Sequence, residues 1–464
     1  MLFCRRCSGM EINMNIIIVG CGKVGQTLAA QLNEEGNNVT VIDLTEAKVN
    51  SITSKCDVMG VVGNGATHMI QREAGIDTAD LLIAVTGSDE LNLLCCLVAK
   101  KAGDCQTIAR IKSPEYSAEA PYLKDELGLA MIINPEYAAA QEISRVLRFP
   151  AAIKIDTFAK GRVELLKFRL PENSPLVGMS VKDVITKLHC DILVCTIERG
   201  DESFIAHGNF IFDPKDVISI IASPKNASDF FKKIDFRLHS VKDAIIVGGG
   251  KITHYLCSIL QKSGISAKVI EKDTSKCEAL CAAFPEVSVI CGDGSDKSVL
   301  LEEGVERAGA FVTLTNVDEE NILISLFAKS VGKGKLITKV NHIEFDNVIK
   351  QLDLDTTICP KNITADTILS RVRAMKNTLG SNVETLYNLI PGEVEAAEFV
   401  IKESSDVTGT PLSQLKFKEN VLIAAILRGK KIMIPRGHDT IEPGDGVIVV
   451  SKLRALHDIT DILM

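Results

Sequence analysis

One stretch of this chain is written twice, and that repeat limits what its 464 residues can fold into. Residues 15–26, NIIIVGCGKVGQ, return as 244–254, AIIVGGGKITH, which takes Gly20 to Gly248 at an offset of 228 (248 − 20). The same offset carries Asp43, closing VTVID, to Glu271, closing AKVIE. After one inserted residue, Gly63-Asn64-Gly65 maps to Gly292-Asp293-Gly294, Thr86 to Thr315 and Arg110 to Lys339. In the first copy short β-rich runs are expected near 15–20, 39–43, 58–62, 80–85 and 106–110, with apolar residues at helical spacing between them. Strand–helix alternation of this kind predicts an α/β fold: two Rossmann-type, doubly wound parallel sheets.

A smaller segment of different texture follows each copy, richer in strand alternation and turns. It repeats too: Gly178 with Gly409, Gly200 with Gly429, Gly208 with Gly437, and Asp213-Pro214-Lys215-Asp216 with Glu442-Pro443-Gly444-Asp445. Each Pro turn precedes an apolar run, VISIIA or VIVVS, that reads as a closing strand. The expected order is an extension at 1–13, a Rossmann domain at 14–150, a small α+β domain at 151–223, a linker at 224–242, a second Rossmann domain at 243–378 and a second small domain at 379–464. Residues 1–13 do not fit the pattern, and Met14 is the expected start. Cys4 and Cys7 form a lone CxxC, a weak metal signal without a second pair.

The strongest chemical motif is Gly20-x-Gly22-x-x-Gly25, placed after an apolar strand and opening a helix. Gly20 permits the tight turn, Gly22 lets backbone approach a pyrophosphate, and Gly25 lets helix pack on sheet. The helix start offers free N–H groups and partial positive charge to phosphates. Asp43 ends the second strand 21 residues after Gly22 (43 − 22). A carboxylate there accepts both ribose hydroxyls of an adenosine and repels a 2′-phosphate, favouring NAD(H) over NADP(H), with ATP or ADP still open. Asn64, Thr86 and Gly87 follow the third and fourth strands, on the carboxyl edge where ligands of open sheets collect. Arg110, ending the fifth strand, is placed to pair with a phosphate oxygen. Asp89 and Glu90 are expected in the first turn of the next helix, complementing its dipole.

The second copy departs in four places. Thr253 replaces the third glycine, and its Cβ should push the helix slightly off the sheet. Glu271 reaches further than Asp43; Asp293 brings a negative charge towards the phosphate position; Lys339 stands for Arg110. A weakened or differently tuned site is expected.

Composition narrows the function. Formal charge is −8, against a general nucleic-acid binder, and no apolar run approaches the roughly 20 residues a membrane helix needs. Several of the 14 cysteines (Cys95, Cys96, Cys195 and Cys257) lie in apolar periodic segments and read as buried small hydrophobes in a reducing cytosol. None of the five tyrosines has Lys four residues on, the eight histidines are scattered, and no HExxH, G-x-S-x-G or Walker loop occurs. Neither a catalytic nor a metal-binding residue is expected. A binding module is favoured over its rivals, an NAD-dependent oxidoreductase with an unrecognised catalytic group or a redox-sensing regulator.

IIIVGCGKVG, VTVID, GNGA, AVTGSDELN and IARI, all duplicated with a small domain after each, resemble the TrkA family of peripheral subunits of Trk-type potassium uptake systems, built from paired TrkA-N (RCK or KTN) and TrkA-C domains. The likeness runs from Met14 to the C-terminus. It implies binding of NAD(H) or adenine nucleotides, self-association into a ring (tetramer or dimer), and gating of a membrane-embedded potassium-translocating subunit from the cytoplasmic face. Carried over by motif, the ligand residues would be Gly20, Cys21, Gly22, Lys23, Val24, Asp43, Asn64, Thr86, Gly87 and Arg110. In the second copy they would be Gly248, Gly249, Gly250, Lys251, Ile252, Glu271, Asp293, Thr315 and Lys339.

Overall fold

A computed structural model of the chain describes residues 13–150, 152–159, 162–200, 202–234, 241–341, 352, 354–378, 383–390, 393–429, 431–452, 456 and 458–464. The Cys4/Cys7 pair, residues 235–240 of the expected linker, and His239, His342 and His457 lie outside that set.

The first Rossmann domain runs β1 (Asn15–Val19), α1 (Lys23–Glu34), β2 (Asn38–Asp43), α2 (Glu46–Thr53), β3 (Met59–Val62), α3 (His68–Glu73), β4 (Leu81–Ala84), α4 (Asp89–Ala102), β5 (Gln106–Arg110), α5 (Pro114–Ala118), α6 (Ala120–Glu126) and β6 (Met131–Ile133). The strands pair in parallel, in the order β3-β2-β1-β4-β5-β6. This is the doubly wound order with its switch point between β1 and β4. Strand-favouring Ile16, Ile17 and Ile18 are buried on both faces, as a central parallel strand requires. Cys95 and Cys96 on α4 fill the core beneath the sheet beside Ile17, Leu82 and Ala109.

Helix α7 (Pro135–Arg148) leads into an antiparallel sheet of β7 (Ala152–Phe158), β8 (Val163–Arg169), β9 (Leu193–Arg199), β10 (Glu202–Ile205) and β11 (Val217–Ala222), with α8 (Val181–Leu188) between β8 and β9. Its order is β10-β9-β11-β8-β7. The expected linker begins with a helix instead: α9 (Pro224–Lys233), whose Ala227, Phe230 and Phe231 are buried in the small domain's core with Phe168 and Ile218. Residues 224–233 therefore belong to that domain, a correction to the expected boundary. The start is legible locally, because Ser223 Oγ accepts from Asn226 N and Pro224 takes the first helical position.

The second Rossmann domain repeats the first: β12 (Asp243–Val247), α10 (Lys251–Ser263), β13 (Ser266–Glu271), α11 (Thr274–Ala283), β14 (Ser288–Cys291), α12 (Lys297–Glu302), β15 (Ala310–Thr313), α13 (Asp318–Val331), β16 (Lys335–Lys339) and β17 (Thr356–Ile358). The order β14-β13-β12-β15-β16-β17 is again all parallel. Helix α14 (Pro360–Thr378) then precedes β18 (Val383–Ile390), β19 (Val394–Val400), β20 (Val421–Arg428), β21 (Lys431–Met433) and β22 (Gly446–Ser451). Their order, β18-β19-β22-β20-β21, is that of the first antiparallel sheet.

The chain divides into two units. The first holds the first Rossmann domain through Ala138, with Pro360–Leu369; the second holds Ala139–Cys359 and Ser370–Met464. Within the second, the two small domains share a core, with Phe158, Val163, Leu165 and Ile221 of one against Leu389, Val394, Ala425, Ile448 and Val450 of the other. Tyr387 Oη donates to Thr157 O across that seam. The duplicated Pro turns are held alike. Arg199 clamps the buried Asp216 through Nε and Nη2 at 2.9 and 2.8 Å, and Arg428 clamps Asp445 at the same two distances.

Candidate functional site

Each glycine of the first motif answers to a different constraint. Gly20 sits at φ +108 and donates to Ile42 O at 2.7 Å; a Cβ there would lie 3.0 Å from Thr86 N. A Cβ on Gly25 would stand 1.9 Å from Gly20 O, so helix α1 closes on the turn only because that position is glycine. Gly22 is unlike both. Its φ is −73, and a Cβ there meets no atom within 4 Å. Protein packing does not require glycine there, and neither does the backbone. Gly22 is also the N-cap of α1 and carries no side-chain cap, so the helix's first N–H groups are left to an outside acceptor.

Asp43 faces this turn from the end of β2. Its Oδ2 accepts from Cys21 N at 2.8 Å and its Oδ1 from Thr45 N at 2.9 Å, with Lys48 Nζ 3.8 Å away. A carboxylate has about four acceptor directions, so two remain for ribose hydroxyls. The sequence did not show that Asp43 also braces the glycine turn. Cys21 is buried; burial, with Asp43 adding to it, pushes its thiol up to about 12. It stays protonated and lines the site without reactivity. Lys23 is exposed at the helix start, and Val24 is buried beneath it.

Across the switch point, Asn92 organises the β4 and β5 ends. Fully buried on α4, it accepts from Thr86 N and Thr86 Oγ1, both at 2.7 Å, and donates to Arg110 O at 2.8 Å. Arg110 returns from β5, its Nη2 on Thr86 O at 3.1 Å. Its Nε is buried and has no partner among the described residues. Gly87 is exposed, and its carbonyl takes Lys112 Nζ. Asn64 closes its own turn by accepting from Ala66 N. Asp89 and Glu90 do open α4. Asp89 braces the chain after β5, its Oδ2 accepting from Lys112 N and Ser113 N at 3.1 and 2.8 Å.

The second copy keeps this frame with altered contacts. Gly248 has φ +103, and Gly250 is again an N-cap whose Cβ would meet nothing within 4 Å. Glu271 accepts from Gly249 N at 2.5 Å and from Asp273 N at 2.9 Å. A Cβ on residue 249 would stand 2.9 Å from Leu280 Cδ1 and 3.0 Å from Glu271 Cγ, so glycine suits the packing there. Thr253, buried at the third glycine position, donates its hydroxyl to Gly248 O. Asp293 caps its own turn through Ser295 N and Oγ, bonds that hold its carboxyl below the usual range and therefore charged. Asn321 repeats Asn92, accepting from Thr315 N and donating to Lys339 O. Lys339 Nζ donates to Thr315 O at 2.9 Å. Lys251 is exposed and Ile252 buried, like Lys23 and Val24.

In each copy the glycine turn, the carboxylate bound to it and the Thr–Arg or Thr–Lys pair flank the switch point, while Asn64 and Asp293 are seen bonding within their own turns. Asn92 and Asn321, which hold the β4 and β15 exits in place, were missed as participants. Their signal was a Thr and an Asn six residues apart in both copies. Three features of the first copy fit an adenine nucleotide: the uncapped helix start over Gly22, the spare acceptor directions of Asp43 and the orphaned Nε of Arg110. No group of three or more metal-binding side chains occurs among the described residues.

Fold and site define a class: a tandem pair of Rossmann nucleotide-binding folds, each trailed by a small antiparallel domain. The TrkA-N domain model matches residues 16–135 and 244–360, and the TrkA-C domain model matches 165–235 and 396–464. The chain belongs to the TrkA family. It is 31% identical over 454 residues to Trk system potassium uptake protein TrkA homolog 1 of Methanosarcina mazei, covering 96% of this chain and 99% of that one. It is 32% identical over 450 residues to the TrkA homolog of Archaeoglobus fulgidus, covering 97% and 100%. Among solved structures, the GsuK RCK domain shares the fold with a TM-score of 0.64 at 15% identity, covering 95% of this chain and 93% of that one. The GsuK channel bound to NAD gives 0.64 and 15%, covering 95% and 77%.

Proposed function

We propose that this chain is a nucleotide-sensing regulatory subunit of a potassium uptake system. Its full-length relatives carry that system's name, and a structural neighbour was solved with NAD bound. The observation that carries the nucleotide reading is Gly22, a glycine that neither φ nor packing requires at an uncapped helix start facing Asp43. The backbone from Gly20 to Val24 would hold phosphates, Asp43 the ribose hydroxyls, and Arg110, steadied by Asn92, a phosphate oxygen. NAD(H) fits best because Asp43 repels a 2′-phosphate; ATP and ADP present the same ribose. Gly248 to Ile252, Glu271, Asp293, Thr315 and Lys339 form the second, weaker site.

No helix among the described residues is long and apolar enough to cross a membrane. The protein would act from the cytoplasmic face, as a ring of copies beneath a membrane-embedded potassium-translocating subunit. A ligand shifts a gate only by the difference in its affinity for two arrangements. Nucleotide charge at the start of α1 therefore acts by favouring one arrangement of the ring. The test is co-purification with the translocating subunit, followed by NADH and ATP titration of the free and the assembled ring. Association with nucleotide-dependent affinity is expected; equal affinities in the two states would rule out gating by the nucleotide.

A further inference from the structure

The second Rossmann domain carries a pair of thiols that the first lacks, beside its ribose carboxylate. Strands β13 and β14 pair so that Glu271 lies directly across from Cys291. Cys277, in the first turns of α11, points its Sγ at Glu271 O, 3.2 Å away. Cys291 Sγ lies 3.6 Å from Thr274 Oγ1, at the start of the same helix. Both sulfurs therefore sit where the start of α11 meets the end of β14, beside Glu271. Cys291 is exposed and Cys277 buried, while Cys281, one turn further along α11, is exposed. In the first copy the matching positions are Val49, Thr53 and Val62, and Val62 lies across from Asp43 as Cys291 does from Glu271. The same frame holds in both copies, and the sulfur pair is confined to the one with Glu271.

We infer that Cys277 and Cys291 form a reversible disulfide that locks the mouth of the second nucleotide site. With a peroxide as oxidant, the Cys291 thiolate attacks one peroxide oxygen, the O–O bond breaks, and a sulfenic acid and hydroxide result. The Cys277 sulfur then displaces the sulfenic hydroxyl, the S–S bond forms and water leaves. Two thiols lose two electrons, and hydrogen peroxide takes them up to give two waters. Cys291 reacts first because it is exposed; burial holds the Cys277 thiol up at about 11, so Cys277 stays protonated, does not compete for the peroxide, and its proton leaves with the displaced hydroxyl as water. The bond ties the first turns of α11 to the end of β14, on either side of Glu271, and removes the S–H donor on Glu271 O. Glu271 must keep its place, because the Gly249 amide is bound to it.

The consequence for ligand binding rests on the proposed nucleotide role of Glu271; the cross-link does not. The full chain is treated with hydrogen peroxide, alkylated, digested without reductant and mapped by mass spectrometry. A Cys277–Cys291 peptide pair is expected, reversed by dithiothreitol, lost in Cys277→Ser and Cys291→Ser, and kept in Cys281→Ser. Cys277 and Cys291 recovered as alkylated thiols, Cys291 recovered only as sulfinic acid, or Cys281 replacing Cys277 in the bridge would each overturn the inference. NADH binding is then measured in the Asp43→Ala chain, where the second site dominates. Oxidation should weaken it by about tenfold, and Cys291→Ser should abolish that loss. A reduced Asp43→Ala chain that takes up no NADH would refute the nucleotide role of the second copy, while the peptide map still decides the cross-link.

Discussion

Replacing Gly25 with alanine tests the helix–turn contact that shapes the nucleotide cradle. The new Cβ would stand 1.9 Å from Gly20 O, about 1.1 Å short of the 3.0 Å that real Cβ atoms keep. The obstacle is backbone carbonyl, so α1 must yield. Overpacking of this size costs about 1–3 kcal/mol, and the gain in helix propensity of Ala over Gly returns about 1 kcal/mol. The net loss of stability is small, about 0–2 kcal/mol. Binding should suffer more, because the N–H groups at the start of α1 move by a similar distance. Losing one charge-assisted hydrogen bond, about 1.5–3 kcal/mol, weakens NADH binding roughly 10- to 100-fold. Urea unfolding and titration calorimetry on the same protein separate the two effects. Gly22→Ala is the companion, since its Cβ meets no protein atom; it should unfold like the parent and still lose affinity. Unchanged NADH affinity in both variants would refute the cradle argument.

Other outcomes follow from the same contacts. Asn92→Ala leaves Thr86 N and Arg110 O without their buried partner; it should cost about 1–3 kcal/mol in urea unfolding and weaken nucleotide binding as well. Asp445→Ala removes the buried carboxylate that holds Arg428 and Glu442 N, and should lower stability by about 2–3 kcal/mol, more than Glu442→Ala. Burial pushes the Lys335 ammonium down to about 8, with Asp355 partly opposing. An unfolded lysine keeps its proton to about 10.4, so between those values the unfolded chain binds more protons and stability rises with pH. Compared with Lys335→Met, the parent should therefore gain stability between about pH 7 and pH 10; a flat difference would contradict the burial of that charge.

The repeat made much of the fold legible. Apolar runs ending in Val19, Asp43 and Arg110 located β1, β2 and β5 closely, and the second copy followed by offset. Asp43, Thr86 and Arg110 were legible because the parallel order places strand exits together at the switch point. Cys95, Cys96, Cys195 and Cys257 are buried as their apolar neighbours implied. Helix α9 was hidden because six of the eleven residues of PKNASDFFKKI are polar or charged, while its buried side is decided by the sheet it covers. Thr253 carries a hydroxyl as well as a Cβ, and its bond to Gly248 O is set by the folded turn rather than by the glycine spacing. Asn92 went unread because its partners, Thr86 and Arg110, meet only once the sheet is assembled. The shared core of the small domains has no sequence signature, since strands packed on both faces look alike whatever covers them.

Nucleotide sensing by this chain depends on phosphate and ribose being held between the start of α1 and the end of β2. Calorimetric titration of the purified chain with NADH, beside its Asp43→Ala and Glu271→Ala variants, tests this most directly. Saturable uptake is expected, with the larger loss of affinity in Asp43→Ala. No heat at any NADH concentration, or a larger loss in Glu271→Ala, would contradict it.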